Sequence, residues 1–250
     1  MGDDRTDGVR VETSGKRLRA YLGGQLVFDT PRPALVWEIP YYPTYYVPLA
    51  DVRAKLEPTG ELHESESRGQ ATICDVVVDG AVAEKAASSY AESGAAAVRG
   101  LVRFDWNSLD HWLEEDEPAH VHPRDPYKRV DILNSSRHVV VSIDGVTVAD
   151  SRQPRMLFET GLPTRYYLPL PDVRMDLLRP SDHHTDCPYK GTASYWHVEV
   201  DGTLHENIVW TYPAPTPESQ KVIGLACFYD EKVDVEIDGV PQARPESPFS

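Results

Sequence analysis

A short segment in the second half of this chain concentrates residue types that bind ligands or take part in catalysis. Lys190 stands before a glycine, which lets backbone approach a ligand closely, and Tyr189, Tyr195 and Trp196 lie nearby in sequence. A partly buried lysine can act as an anion clamp, a Schiff-base nucleophile or a general base, because burial lowers a lysine pKa. The segment therefore predicts a pocket centred on Lys190 with aromatic walls.

A cysteine and several histidines accompany this lysine. Catalysis by Cys187 would need a stabilised thiolate and an oriented base, for which His183, His184 and His197 are the candidates. The aspartate before Cys187 would disfavour a thiolate if the two groups are close. We therefore expect Cys187 or His184 to assist Lys190 rather than to lead the chemistry.

The same residues include metal-type ligands. Adjacent histidines on an extended chain point to opposite faces, so only one of His183 and His184 could share a site with Cys187. The chain has no paired cysteine knuckle, phosphate loop, dinucleotide fingerprint, Gly-x-Ser-x-Gly or metalloprotease helix. We expect neither a metal nor a cofactor.

The first half of the chain repeats the second but lacks this segment. Many residues recur at an offset of 121, which becomes 122 and then 124 after insertions; they include Tyr46 with Tyr167, Asp51 with Asp172, Arg53 with Arg174, Gly69 with Gly191 and Phe104 with Phe228. A period this long indicates a duplicated domain, because solenoid repeats span about 20–50 residues. The intact copy is thus the second one.

Comparison of the two copies sorts the remaining candidates. Tyr167, Asp172 and Arg174 occur in both halves, which favours a framework role, although Tyr167 is also a candidate ligand-binding residue and Arg174 with Asp172 could orient a ligand. Asn207 and Trp210 occur only in the second half, where the first half has Lys85 and Ser88. They join the predicted pocket.

Short segments of alternating polarity, punctuated by Asp-Gly turns, predict β-hairpins throughout. Short helices are expected at 49–56, 86–97 and 171–178. The predicted organisation is all-β, with an N-terminal domain over 8–113, a linker over 114–128, a C-terminal domain over 129–240 and a poorly ordered tail over 241–250.

The overall composition limits the classes of molecule that we expect the protein to bind. The 250 residues carry 25 basic and 40 acidic side chains, a net charge of −15, which disfavours binding to nucleic acid or anionic membranes. Three cysteines cannot build a disulfide framework, and neither a signal peptide nor a spanning segment is evident. We expect a cytoplasmic monomer or homodimer whose partner is a small molecule.

The motifs also resemble a known family. The runs Phe158 to Tyr167, Asp172 to Arg174, Cys187 to Gly191, Trp210 to Pro213 and Ile223 to Leu225 are similar to the bacterial domain-of-unknown-function family number 427, also catalogued as nucleotidyltransferase-like. The resemblance covers almost the whole chain as a tandem pair. It implies a compact Mss4-like or β-tent fold without zinc knuckles. The chain lacks the Gly-Ser motif and paired aspartates of two-metal nucleotidyl transfer.

Three functions follow from these observations. The first is a small-molecule enzyme, or former enzyme, with Lys190 as an anion-binding, carbonyl-binding or acid/base group. The second is a non-catalytic module that captures a metabolite in the same pocket. The third is a structural or interaction protein, in which case the second domain should enclose no cavity.

Overall fold

The computed structural model describes residues 5–6, 8–93 and 95–247. The chain divides between Asp125 and Pro126 into two compact units. Both units consist of β-strands with only short 3-10 turns, so the structure confirms the β-dominated class and the tandem organisation predicted from the repeat.

The first unit forms a large sheet and a small one. Its strands are β1 Arg5–Thr6, β2 Val9–Thr13, β3 Leu18–Leu22, β4 Gln25–Thr30, β5 Ala34–Trp37, β6 Thr44–Pro48, β7 Lys55–Ser65, β8 Gly69–Val78, β9 Ala81–Ser89, β10 Leu101–Phe104, β11 His111–Glu114 and β12 Glu117–Pro118. Its 3-10 turns are Leu49–Asp51, Ala96–Val98 and Trp106–Ser108. The sheet orders are β1-β2-β5-β6-β10-β9-β8-β7 and β12-β11-β3-β4.

The second unit repeats this arrangement. Its strands are β13 Val130–Asn134, β14 Val139–Ile143, β15 Val146–Ser151, β16 Arg155–Glu159, β17 Arg165–Pro169, β18 Leu178–Cys187, β19 Gly191–Val200, β20 Thr203–Thr211, β21 Leu225–Phe228, β22 Asp234–Ile237 and β23 Val240–Pro241. Its 3-10 turns are Leu170–Asp172, Met175–Leu177 and Pro217–Val222. The orders are β13-β16-β17-β21-β20-β19-β18 and β15-β14-β22-β23.

The sheet topology shows the duplication directly. The run β16-β17-β21-β20-β19-β18 has the same neighbours as β5-β6-β10-β9-β8-β7 in the first unit. The Asp-Gly turns behave as predicted, since Asp79, Asp144, Asp201 and Asp238 all have positive φ and join antiparallel strands.

The large sheet of the second unit is buried on two faces. One face packs on the small sheet through Leu168, Val198, Val209 and Phe228, together with Val139 and other residues of β14 and β22. The other face carries a separate cluster rich in aromatic residues, including Tyr167, Tyr195, Trp210 and Tyr212. Successive side chains of a strand point to opposite faces of the sheet, and this alternation separates the two clusters.

The predicted helices are wrong over most of their length. Residues 86–89 lie in β9, where Ala86 and Ala87 are buried in the core of the first unit. Within the predicted helix 86–97, Ala96–Val98 forms a 3-10 turn. Gly94 lies outside the described residues. Pairing with β8 and β10 outweighs the helix propensity of alanine here. The segments at 49–56 and 171–178 form 3-10 turns and then enter β7 and β18.

The described part of the C-terminal tail, residues 242–247, forms hydrogen bonds with the second unit. The Gln242 N–H donates to the Val235 carbonyl at 2.8 Å, and Arg244 pairs with Asp234 at 2.9 Å. The Ser247 hydroxyl donates to Glu231 at 2.5 Å. These bonds offset the entropy of ordering a proline-rich segment. Residues 248–250 lie outside the described chain.

Candidate functional site

A buried ion pair lies at the aromatic face of the second unit. Lys190 and Glu159 are each only 9% exposed, and the lysine Nζ donates to the Glu159 Oε2 at 2.5 Å. Glu159 ends β16, whereas Lys190 stands in the turn between β18 and β19. The sheet therefore brings together two groups that are distant in sequence and satisfies both charges away from water.

Cys187 also interacts with the lysine ammonium. Burial alone would lower the pKa of Lys190, but the neighbouring Cys187 sulfur and the Glu159 carboxylate outweigh burial, and its pKa is raised. Lys190 is therefore held as an ammonium. A Schiff-base or general-base lysine needs a lowered pKa, so the raised pKa of Lys190 instead favours charge stabilisation or hydrogen-bond donation by the ammonium.

The turn that carries these groups is fixed by its neighbours. The Tyr189 carbonyl accepts hydrogen bonds from the hydroxyls of Thr216 at 2.6 Å and Ser219 at 3.0 Å. Gly191 has φ +95°, and a Cβ there would lie 3.1 Å from the Ala214 carbonyl oxygen. Glycine at this position permits both the backbone conformation and the close approach of the chain.

Four aromatic residues stand on the same face of the sheet as the ion pair. Trp210 donates its indole N–H to the Tyr167 hydroxyl at 3.1 Å, and the two rings meet edge to face. Tyr195 shares a hydrogen bond of 2.9 Å with Thr185, and Tyr212 is buried in the same cluster. Burial raises the pKa of both Tyr167 and Tyr212, so their hydroxyls remain neutral donors.

The outer edge of this face is more accessible. Cys187 and Tyr229 are half-buried, and the Tyr229 hydroxyl lies 3.3 Å from that of Tyr195. The exposed His183 ring packs on Tyr195 with centroids 4.6 Å apart. A ligand could approach the aromatic cluster from this side.

A second buried cation was missed by the sequence analysis. Arg165 donates to both carboxylate oxygens of Glu231 at 2.8 and 2.6 Å, and its guanidinium lies 5.7 Å from the Trp210 ring centroid. Asp230 lies 3.7 Å from Arg165. Arg165 is part of the Thr-Arg-Tyr-Tyr run, but it has no counterpart in the first half, where Thr44 stands at the aligned position.

Several predicted pocket residues lie elsewhere. Trp196 follows Tyr195 on β19 and packs on the opposite core, with its buried indole N–H lacking a hydrogen-bond partner in the described structure. Arg174 is exposed and forms two hydrogen bonds to Asp176, at 2.8 and 2.7 Å, rather than pairing with Asp172. Asp172 instead accepts from the Ser151 hydroxyl at 2.6 Å.

His184 and Asn207 are also outside the cluster. His184 is exposed on β18 with its Nδ1 2.9 Å from the Asp182 carbonyl. Asn207 has φ +54° at an irregularity of β20, where its N–H donates to His197 at 3.1 Å. Lys85, its counterpart, has φ +51° and donates its N–H to Asp75, so this conformation is a framework feature of both domains.

The first domain keeps part of the cluster in altered form. Glu38, the counterpart of Glu159, accepts from the Tyr46 hydroxyl at 2.8 Å and from Arg103 at 3.0 Å. Arg68, the counterpart of Lys190, lies 3.4 Å from the Tyr90 hydroxyl. The thiol is replaced, because Ser65 stands where the second domain has Cys187.

Within residues 5–6, 8–93 and 95–247, no three His, Cys, Asp or Glu side chains are grouped so that they could hold a metal ion. No helix in the described part of the chain is long and apolar enough to span a membrane.

Comparison with known proteins supports the duplication. The family model described as "Domain of unknown function (DUF427)" matches residues 10–115 and again residues 131–239. No curated protein sequence matches the chain. The two matches cover most strands of both units and the whole candidate site. The chain therefore belongs to the DUF427 family, as a tandem pair of its domains.

Proposed function

We propose that the second domain is a small-molecule enzyme whose reacting centre is the Cys187–Lys190 pair. The observation that carries this proposal is the buried Lys190 ammonium, held by Glu159 beside a half-buried thiol. Buried ionisable groups with shifted pKa values are concentrated at functional sites. The first domain has Ser65 and Arg68 at the positions that align with Cys187 and Lys190, so it lacks the thiol and the lysine there.

Lys190 supplies a fixed positive charge in this proposal. An ammonium that cannot reorient stabilises negative charge on a nearby sulfur or on an oxygen of a bound substrate, and it does so more strongly away from water. Glu159 is a positioning residue, because it contacts the lysine rather than the open edge of the face. The substrate class is therefore a small molecule with an anionic or carbonyl oxygen.

The aromatic residues form the wall for the rest of the substrate. Tyr195 and Trp210 are buried and Tyr229 is half-buried, and all three pack together, with 4.6 Å between the ring centroids of Trp210 and Tyr229. Aromatic faces bind planar or apolar groups. Trp196, Arg174, Asp172, His184 and Asn207 have no part in this proposal, because they lie away from the cluster.

A non-catalytic binding module is the second candidate. One observation favours it: the charge of Lys190 is already matched by Glu159 in the structure. A cation matched in this way can serve as a hydrogen-bond donor to a captured metabolite without any chemical step.

Untargeted metabolite profiling separates the two. The full chain is incubated with a metabolite extract, and compounds bound to the protein or consumed from the extract are identified by mass spectrometry. The matched variant is Lys190→Met/Glu159→Gln, which removes both charges of the pair and leaves no unpaired buried ion. The variant Arg174→Met removes an exposed cation of the same domain that lies away from the cluster, and it serves as the control.

Consumption of a compound by the wild type and by Arg174→Met, but not by the double variant, supports the enzyme. Retention of an unchanged compound with the same dependence supports the binding module. If no compound is bound or consumed in a way that depends on Lys190 and Glu159, both proposals are wrong and the aromatic face is structural.

A further inference from the structure

The second domain contains a cavity that the proposed active site does not use. Its volume is about 200 Å³, and its walls come from the turn before β17, from the segment around β22 and from the C-terminal tail. The residues that matter for its chemistry are Tyr166, Asp230, Val233, Val235, Ala243 and Pro245. Apolar and polar groups share this lining, and Asp230 is the one carboxylic acid in it.

The charges around Asp230 do not balance. Asp230 is 6% exposed, and Arg165 is the nearest cation, at 3.7 Å, which exceeds hydrogen-bonding distance. Arg165 is already engaged by Glu231 through two hydrogen bonds. One guanidinium therefore serves two carboxylates, and the site carries an excess negative charge when both are ionised.

The remaining titratable groups near Asp230 do not correct this imbalance. They are Tyr166 and Cys227, which are both neutral at physiological pH because burial raises their pKa values, and Arg137, which lies near Tyr166 but pairs with Asp238 at 2.7 Å. Lys232 lies over the Tyr229 ring at 5.2 Å, and Arg244 pairs with Asp234. Burial raises the pKa of Asp230 to about 7, which reflects the cost of this uncompensated charge.

We propose that this cavity is a binding site for a small organic cation, with Asp230 as the counter-ion and the Tyr166, Val233 and Val235 side chains around its apolar body. A ligand ammonium supplies the positive charge that the carboxylate lacks, and the ring of Tyr166 is suited to a cation. A cavity of ~150 Å³ accommodates benzene, so the volume here admits a single-ring amine or a short alkylamine.

The site is particular to the second domain. At the offset that aligns Phe104 with Phe228, the counterpart of Asp230 is Trp106, whose ring stacks on Trp112 with centroids 4.4 Å apart. An indole at this position replaces the carboxylate. The proposed cation site is also independent of the Cys187–Lys190 proposal, because it uses none of the same side chains.

The test uses benzylammonium as the probe and benzyl alcohol as its neutral counterpart. Binding of each to the full chain is measured by calorimetry at pH 8.5, where Asp230 is ionised, and at pH 5.5, where it is protonated. The variants are Asp230→Asn, which removes the charge, and Ala243→Trp, which fills the cavity from an exposed position. Asp201→Asn, in an exposed turn, is the control for loss of one charge.

We expect benzylammonium to bind the wild type and Asp201→Asn at pH 8.5, and at least tenfold more weakly at pH 5.5, in Asp230→Asn and in Ala243→Trp. Benzyl alcohol should bind more weakly at pH 8.5 and without pH dependence. The proposal is overturned if benzylammonium does not bind, if the alcohol binds as tightly, or if Ala243→Trp leaves binding unchanged. Because Ala243 is exposed, Ala243→Trp should fold even if Asp230→Asn does not, and it then decides the test.

Discussion

Lys190 and Glu159 form a buried ion pair with 2.5 Å between Nζ and Oε2, although 31 positions separate them in sequence. Glu159 ends β16, whereas Lys190 stands in the turn between β18 and β19, and Cys187 at the end of β18 interacts with the lysine. Each charge depends on the other, because both side chains are buried.

Removing one member of the pair should be more destabilising than removing both. Lys190→Met leaves the Glu159 carboxylate buried without its cation, and we expect a loss of about 3–5 kcal/mol in the free energy of unfolding. Lys190→Met/Glu159→Gln should recover most of that loss. Urea denaturation at pH 7 measures both. A double variant that is no more stable than Lys190→Met would mean that the two charges do not interact.

Gly191 should be costly to replace for two reasons. Gly191→Ala strains a backbone with φ +95° and places a methyl group 3.1 Å from the Ala214 carbonyl oxygen. We expect a destabilisation of about 2–4 kcal/mol from strain and crowding together. Gly202→Ala is the matched control, because φ is +80° there but nothing lies within 4 Å of the added methyl. It should cost only about 1 kcal/mol. Equal losses for the two would show that crowding at Gly191 is unimportant.

Asp230 should make the protein less stable as the pH rises. Its folded pKa is raised to about 7, above its ordinary value near 4 in an unfolded chain. Between these values the unfolded state has lost the proton that the folded state keeps, so the free energy of unfolding falls as pH rises from about 4 to 7. Asp230→Asn should remove this contribution.

Denaturation of the wild type, Asp230→Asn and Asp201→Asn at pH 5 and pH 8 tests this expectation. Relative to the wild type, Asp230→Asn should gain up to a few kcal/mol at pH 8 over its value at pH 5. Asp201→Asn should show no such gain. A variant whose stability relative to the wild type is the same at both pH values would disprove the raised pKa.

Much of the fold could be predicted because its signals are local or repeated. Asp-Gly turns, such as Asp79-Gly80 and Asp201-Gly202, mark hairpins through their positive φ, and the offset between the halves indicates a duplication. The helix predicted for the alanine-rich segment from Ala86 was wrong because pairing with β8 and β10 outweighs local propensity. These partner strands cannot be identified from the segment itself. Strand pairing is a long-range property.

The site could be predicted only in part, for the same reason. Lys190 and Cys187 are close in sequence and do interact, but Glu159 and Arg165 reach the face from other strands. The repeat pairs Glu159 with Glu38, and this recurrence is the sequence signal that could have identified Glu159 as a site residue. Placing Tyr195 and Trp196 in one wall was wrong, because consecutive residues of a strand point to opposite faces.

The reactivity of Cys187 tests the central claim most directly. Alkylation by iodoacetamide is followed at pH 7 by peptide mass spectrometry in the wild type, in Lys190→Met/Glu159→Gln and in Arg174→Met. The Lys190 ammonium interacts with the sulfur and attracts its negative charge when the sulfur acts as the nucleophile. We predict that Cys187 is alkylated at least tenfold faster in the wild type and in Arg174→Met than in the double variant. Equal or faster alkylation in the double variant would contradict the account.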